Sequence, residues 1–222
     1  MSNVWYCSDL HIGHKLVSGL RGFTKLIEAE VQEYRNAAGE LLFWNETKPP
    51  VLVPDTQAHD DAIAANWDRV VKPDDTVYVL GDISINGGQH ALDWIEQRPG
   101  TKHLISGNHD PVNPMHSRAL KLLPHWHKYF ATIQPFLRKK LLGETVLLSH
   151  YPYWDFGDGE GRGEARYEQY RLPNLGALLL HGHTHGTEQD HDNQFHVGLD
   201  AWGLELVPQE TILEWVRERA EA

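Results

Sequence analysis

Cysteine is almost missing from this chain. Its 222 residues include one, Cys7, which excludes an intramolecular disulfide. Cys7 sits in a strand pattern two residues before Asp9, where a small buried side chain is the ordinary reading. Long apolar runs are missing too: none approaches the roughly 20 residues of a membrane helix. The start, Met1-Ser-Asn-Val, has neither the basic stretch nor the apolar centre of a signal peptide, so a cytoplasmic location is expected. Positive charge is scarce. Twenty Lys and Arg face 31 Asp and Glu, a net charge of −11. Tight binding of duplex nucleic acid needs a basic surface and is not expected. A small phosphate ester is not excluded, because two divalent cations would add a local charge of about +4 and invert the field in one pocket. Repeats, low-complexity segments and linkers are also absent, and residues 1–222 read as a single domain.

What the chain has in number is histidine, 15 in all. Several fall where a strand pattern stops. Asn3–Cys7 reads as a strand, followed by Ser8-Asp9-Leu10-His11; residues i and i+2 of an extended segment point to one side, so Asp9 and His11 can share a target. Thr76–Leu80, almost wholly apolar, stops at Gly81-Asp82. Thr101–Ser106 feeds Gly107-Asn108-His109-Asp110. Glu144–Leu148 ends in Ser149-His150, and Leu175–Leu180 in His181-Gly-His183-Thr-His185. Buried strands with ligands just past their carboxyl ends are the pattern of open α/β sheets.

Between them, apolar spacing predicts helices over 59–71, 89–97 and 208–222, with Ile63, Trp67, Val70 and Val71 marking the inner face of the first. A short helix is expected within 111–123, and paired strands over 128–133 and 136–142 around Gln134-Pro135. Residues 25–38 carry a helical pattern through Leu26, Glu30, Tyr34 and Ala37. Residues 45–55, with three prolines, read as a loop. The region 14–57 is expected to cap part of the site. Residues 155–171, with four glycines and no clear period, read as a flexible loop that could close over substrate.

Seven residues are candidate metal ligands: Asp9, His11, Asp82, Asn108, His150, His183 and His185. One tetrahedral zinc needs four. Seven, one of them a shareable carboxylate, suit two ions about 4 Å apart. Mixed imidazole and carboxylate donors favour transition metals, with Mn first and Fe, Zn, Ni or Co as alternatives. A lone histidine at a strand end is more often a satisfied surface side chain than a ligand. Five strands each ending in a ligand-type residue have no packing explanation.

Asp9-x-His11, Gly81-Asp82, Gly107-Asn108-His109-Asp110, His150 and Gly182-His183-Thr-His185 resemble the ordered blocks of the calcineurin-like metallophosphoesterase superfamily. Asn66-Trp67, His150-Tyr-Pro-Tyr153 and the small size resemble its compact bacterial and phage branch, which includes a mycobacteriophage-encoded phosphodiesterase. The resemblance implies a four-layer αββα sandwich of two mixed β-sheets flanked by helices. It implies one ion held by Asp9, His11, Asp82 and His185, and a second held by Asp82, Asn108, His150 and His183. His109 is implied to contact phosphate and to protonate the leaving alkoxide, with attack by metal-activated hydroxide and no phosphoenzyme. The block Gly81-Asp82-Ile-Ser-Ile-Asn-Gly87 lacks the Asp and Arg of the family's protein phosphatases. That activity is therefore not expected, and the group orienting His109 is left open between Asp110, His181 and neither.

The resulting expectation is a phosphodiesterase for small nucleotides, such as 2′,3′-cyclic nucleotides. Tyr151, Tyr153 and Trp154 could stack on a base, and Arg162 and Arg166 could meet phosphate. A phosphomonoesterase, a dinucleoside polyphosphate hydrolase or an RNA-end nuclease could use the same residues. A non-catalytic metal-binding scaffold would not need His109.

Overall fold

The computed structural model describes residues 2–27, 33–35, 41–44, 50–85, 88–158 and 166–221. The chain begins with strand β1 (Val4–Cys7) and the short helix α1 (Lys15–Leu20). Strands β2 (Thr24–Ile27), β3 (Glu33–Arg35), β4 (Leu41–Trp44) and β5 (Val51–Pro54) follow. β2 pairs with β5 and β3 with β4, both antiparallel, in two small ladders outside the main sheets. Strands therefore replace the helix expected over 25–38 and interrupt the loop expected over 45–55; residues 28–32, 36–40 and 45–49 lie outside the described residues. The physical reason is exposure. Leu26, Ile27, Val51 and Leu52 are all solvent-exposed. β2 and β5 bury no face that would impose a period of two, and a chance helical spacing misleads.

Helix α2 (Thr56–Val70) starts three residues earlier than its apolar face predicts, because Asp55 caps it by accepting the Ala58 N–H at 3.3 Å. Then come β6 (Thr76–Val79), α3 (Gln89–Glu96), β7 (Thr101–Ile105), α4 (Ala119–Trp126), β8 (Thr132–Gln134), β9 (Phe136–Leu141) and β10 (Glu144–Ser149). The strand expected from 128 begins only at Thr132, since α4 runs on in helical turns through His127 and Phe130. β8 and β9 do not pair with each other. They belong to different sheets, and Pro135, with no N–H to give a ladder, marks the crossing. The chain closes with β11 (Leu178–His181), β12 (Asp190–His191), β13 (Gln194–His196), β14 (Val207–Pro208) and α5 (Gln209–Ala220).

Two five-stranded mixed sheets result, ordered β14-β1-β6-β7-β8 and β12-β13-β11-β10-β9. β1, β6, β7 and β8 run parallel, as do β10, β11 and β13. Side chains alternate between faces along a strand. Cys7, Val77, Val79 and Leu104 accordingly share one buried cluster with α2, α3 and α4, through Ile63, Trp67, Leu92, Ile95 and Trp126. Tyr6, Leu80 and Ile105 share the other with Val146, Leu148, Leu180 and Phe195 of the second sheet and with Ile212, Trp215 and Val216 of α5. The expected α/β sandwich of two mixed sheets with flanking helices is what the chain forms. The segments following β1, β6, β7, β10 and β11 all open at one end of it.

Candidate metal centre

Those segments bring two triads together. Ligand atoms of Asp9, His11 and His185 lie within 4.8 Å of one another, and so do those of Asp82, His150 and His183. Asp82 Oδ2 stands between them, 3.8 Å from His11 Nε2 and 3.4 Å from His150 Nε2. Asn108 Oδ1 is 3.2 Å from His150 Nε2. All seven expected ligand residues thus meet in one place, and His109 Nε2 is 3.9 Å from the same Asp82 oxygen.

Hydrogen bonds outside the cluster aim these groups inward. Each carboxylate has one oxygen held by backbone: Asp9 Oδ2 accepts the His183 N–H at 2.9 Å, and Asp82 Oδ1 accepts the His109 N–H at 2.9 Å. The other oxygen of each faces the histidines, and buried Asp9 Oδ1 has no hydrogen-bond partner. His150 Nδ1–H donates to the Leu80 carbonyl at 2.7 Å. His185 Nδ1–H donates to Asp200 at 2.8 Å, and His183 Nε2–H to Asp158 at 3.3 Å. An outer acceptor fixes the proton on one ring nitrogen and turns the lone pair of the other inward. The inward nitrogens of His150 and His183 are 3.3 Å apart, and the Nε2 atoms of His11 and His185 are 3.0 Å apart. Converging lone pairs and an unpartnered buried carboxylate oxygen are a donor set that fits divalent cations.

Several of the outer groups were not recognised from the sequence. Arg21 bridges Asp200 through two bonds of 2.9 and 2.7 Å, and also reaches the Asp9 carbonyl at 2.8 Å and His59 Nε2 at 3.0 Å. Asp158 is fully enclosed by Arg171, a buried ion pair, and by Arg166 Nε at 2.8 Å. In the sequence, the strand that ends just ahead of Gly198-Leu-Asp200 is the one signal that could have found Asp200. Asp110 is committed elsewhere: its carboxylate accepts the N–H groups of Asp82, Ile83 and Gly107 at 2.8–3.1 Å, tying two ligand loops together. His181 Nδ1–H donates to the Gly182 carbonyl and its ring stacks on His196. Among the described residues no side chain hydrogen-bonds the His109 imidazole, so neither candidate orients it.

The backbone is bent to make this possible. Asp9, His11, Asp82, His183 and His185 have φ values of 60°, 48°, 55°, 72° and 50°. That left-handed region is uncommon outside glycine, least so for Asp, Asn and His, and each instance stores strain on the order of 1–3 kcal/mol. Close approach explains two glycines. A Cβ at Gly107 would meet Asp82 Oδ1 at 2.3 Å, and one at Gly182 would meet Ser8 Oγ at 2.0 Å.

Charge compensation is visible in the titration of these groups. Burial opposes ionisation of Asp9 and Asp82, but neighbouring histidines outweigh it and hold both carboxyls below the usual range. Burial disfavours the imidazolium of His150, yet adjacent Asp82 and Asp9 push it up to about 9, so the inward Nε2 holds a proton at neutral pH that a cation would displace to reach its lone pair. For His183, burial and the charge of His150 act together and keep the ring neutral.

The expected substrate contacts fall out unevenly. Tyr153 is fully buried and donates its hydroxyl to the Ala177 carbonyl. Tyr151 is buried with its ring against His150 and His183 at 5.1 and 5.0 Å. The Tyr151 ring walls these two histidines, and neither buried ring offers an open face to a base. Trp154 is exposed. Arg166 lines a cavity of about 590 Å³ with His11, His109 and His185. Arg162 lies outside the described residues.

Comparison with known proteins gives the family. A profile of the calcineurin-like phosphoesterase family matches residues 2–187. The chain is 40% identical to the Gene 66 protein of Mycobacterium phage L5, over 97% of its own length and 95% of that protein. It is likewise 40% identical to the Gene 66 protein of Mycobacterium phage D29, over 98% of each. A protein of unknown function from Aquifex aeolicus shares the fold, with a TM-score of 0.62 over 97% of this chain and 100% of that one, at 21% identity. The chain belongs to the calcineurin-like phosphoesterase family and is a metal-dependent phosphoesterase. Among the described residues no helix is long and apolar enough to cross a membrane.

Proposed function

We propose that the chain is a phosphodiesterase acting on small nucleotide substrates such as 2′,3′-cyclic nucleotides, as a cytoplasmic enzyme loaded with manganese. The observation that carries this reading is the placement of Asp82 Oδ2 within 4 Å of His11, His150 and His109 at once. Asp9, His11, Asp82 and His185 would hold one cation, and Asp82, Asn108, His150 and His183 the other. Bound cations supply Lewis acidity and a water of lowered pKa.

The chain's own groups do the rest. His109 is half-exposed on the cavity, with Nε2 beside the shared carboxylate, where it can deliver a proton to the departing ester oxygen. The outer acceptors Leu80, Asp158 and Asp200 keep the three imidazoles in the tautomer a cation needs. The buried Tyr151 ring, packed on His150 and His183, excludes water from that side of the site.

The test is to strip the protein, restore Mn, Fe, Zn, Ni or Mg singly, and assay bis-p-nitrophenyl phosphate, p-nitrophenyl phosphate and 2′,3′-cyclic AMP. Diester turnover strongest with Mn, and lost in Asp82→Ala and His150→Ala, is expected. Turnover of the monoester alone would make the enzyme a phosphomonoesterase. Stoichiometric metal without any turnover would leave a scaffold.

A further inference from the structure

His109 stands at the junction of two cavities. One, of about 590 Å³, runs over His11, His185 and Arg166 to an apolar shelf made by Leu16, Leu20 and Leu204. The other, of about 540 Å³, starts from Asn108 and His109 and runs to His116, His125 and Arg118. The first cavity thus reaches the centre through the triad of His11 and His185. The second reaches it from the side of Asn108. Pockets that enclose a whole small ligand occupy roughly 300–1,000 Å³, so each cavity alone has room for a nucleoside-sized group. A cyclic mononucleotide, whose phosphate closes on its own sugar, would fill one and leave the other empty.

The second cavity is also chemically specific. His116 is anchored by a 2.9 Å bond to the Asn108 carbonyl, and His125 by a 3.0 Å bond to Gln89 Oε1. Imidazole faces can stack on bases. Arg118 lines the same cavity and is exposed, and among the described residues it makes no ion pair or side-chain hydrogen bond. A guanidinium without a partner in the wall of a cleft is suited to a phosphate held by two parallel hydrogen bonds.

We propose that the preferred substrate is a linear nucleotide diester with an arm in each cavity. Its scissile phosphate lies at His109, and a further phosphate on the second arm meets Arg118. This rests on the phosphodiesterase reading above and places dinucleotides and short single strands ahead of the 2′,3′-cyclic nucleotides as substrates. The net charge of −11 agrees with a short ligand, since long polyanions are held by basic surfaces.

The experiment compares 5′-phosphorylated thymidine dinucleotide, the same dinucleotide without its terminal phosphate, 2′,3′-cyclic AMP and bis-p-nitrophenyl phosphate on the Mn-loaded enzyme. Titration calorimetry with the methylphosphonate analogue of each dinucleotide gives binding without turnover. We expect kcat/KM for the phosphorylated dinucleotide to exceed that for the cyclic nucleotide at least tenfold. Its advantage over the unphosphorylated dinucleotide should fall about tenfold in Arg118→Ala, in both kinetics and calorimetry. Equal or faster turnover of the cyclic nucleotide, or an advantage that survives Arg118→Ala, overturns the two-armed cleft and leaves the phosphodiesterase reading intact. No turnover of any diester overturns both.

Discussion

Asp82 accepts the backbone N–H of His109 through Oδ1 while turning Oδ2 to within 3.9 Å of the same residue's imidazole. The shared carboxylate and the proposed acid are thereby locked to each other through a single peptide group. The Asp82 carboxylate thus fixes the His109 backbone directly. Replacing it with alanine is expected to lower kcat roughly 10²–10⁴-fold on a diester with a poor leaving group, the usual worth of a positioned acid. The loss should be far smaller on bis-p-nitrophenyl phosphate, whose leaving group departs unprotonated. Equal losses on both substrates would remove His109 as the acid.

Asp200 is the acceptor that fixes the tautomer of His185. Burial opposes its ionisation, but the hydrogen bonds from Arg21 and His185 hold its carboxyl well below the usual range. Asp200→Asn is expected to weaken cation affinity by roughly 10–100-fold, the typical cost of losing such an outer partner. A competition titration with a fluorescent chelator reads this directly. Unchanged affinity would show that Asp200 serves packing alone.

Gly107 can carry no side chain without moving the site. The Cβ of Gly107→Ala would also come within 2.8 Å of the Asp82 backbone nitrogen. The backbone must shift, at a cost on the order of 1–3 kcal/mol. The expected outcome is a lower melting temperature together with loss of bound metal, measured by elemental analysis of the purified variant. A variant with wild-type melting and full metal content would contradict the geometry.

Lys139 lies 4.0 Å above the Tyr78 ring centroid, and burial pushes its amine down to about 8. The folded state therefore favours the neutral amine, while the unfolded chain keeps its proton up to about 10.4. Burial of the charge costs stability in full below pH 8, and that cost fades as pH rises from 8 toward the unfolded value. Lys139→Met is expected to gain stability relative to wild type at pH 7, with a gain that shrinks by pH 10. Denaturant melts of both proteins across this range check it; a gap that widens with pH would refute the sign.

Chelation should be felt by the fold. A cation at a hundred times its dissociation constant adds about 2.7 kcal/mol. For a chain of this size that is roughly 5–10 °C in melting temperature. Thermal scans with and without Mn measure it, and coincident transitions would mean that the triads bind weakly or not at all.

The main strands and the inward groups were readable because both leave a pattern in the sequence. A buried strand is a run of β-branched and apolar residues, and Asp82, His150 and His183 each stand just beyond one. The outer ring left no such pattern. Arg21 and Asp200 are 179 residues apart, and a buried Arg171 with its Asp158 looks in sequence like any polar loop. The helical spacing over 25–38 misleads because β2 and its partner β5 bury no face. The left-handed turns at Asp9, His11, Asp82, His183 and His185 were invisible for another reason: they are imposed by where neighbouring loops must pass, and a local sequence does not encode its neighbours.

Each triad draws on both sheets. Asp9 and His11 follow β1 while their partner His185 follows β11; Asp82 follows β6 while His150 and His183 follow β10 and β11. The centre is therefore a seam, and neither half of the sandwich owns it. A fragment ending before residue 144 would keep four of the seven ligand residues and complete neither triad. Metal capture then reports that the two halves have closed on one another, and it marks a folding event as much as it prepares a reaction.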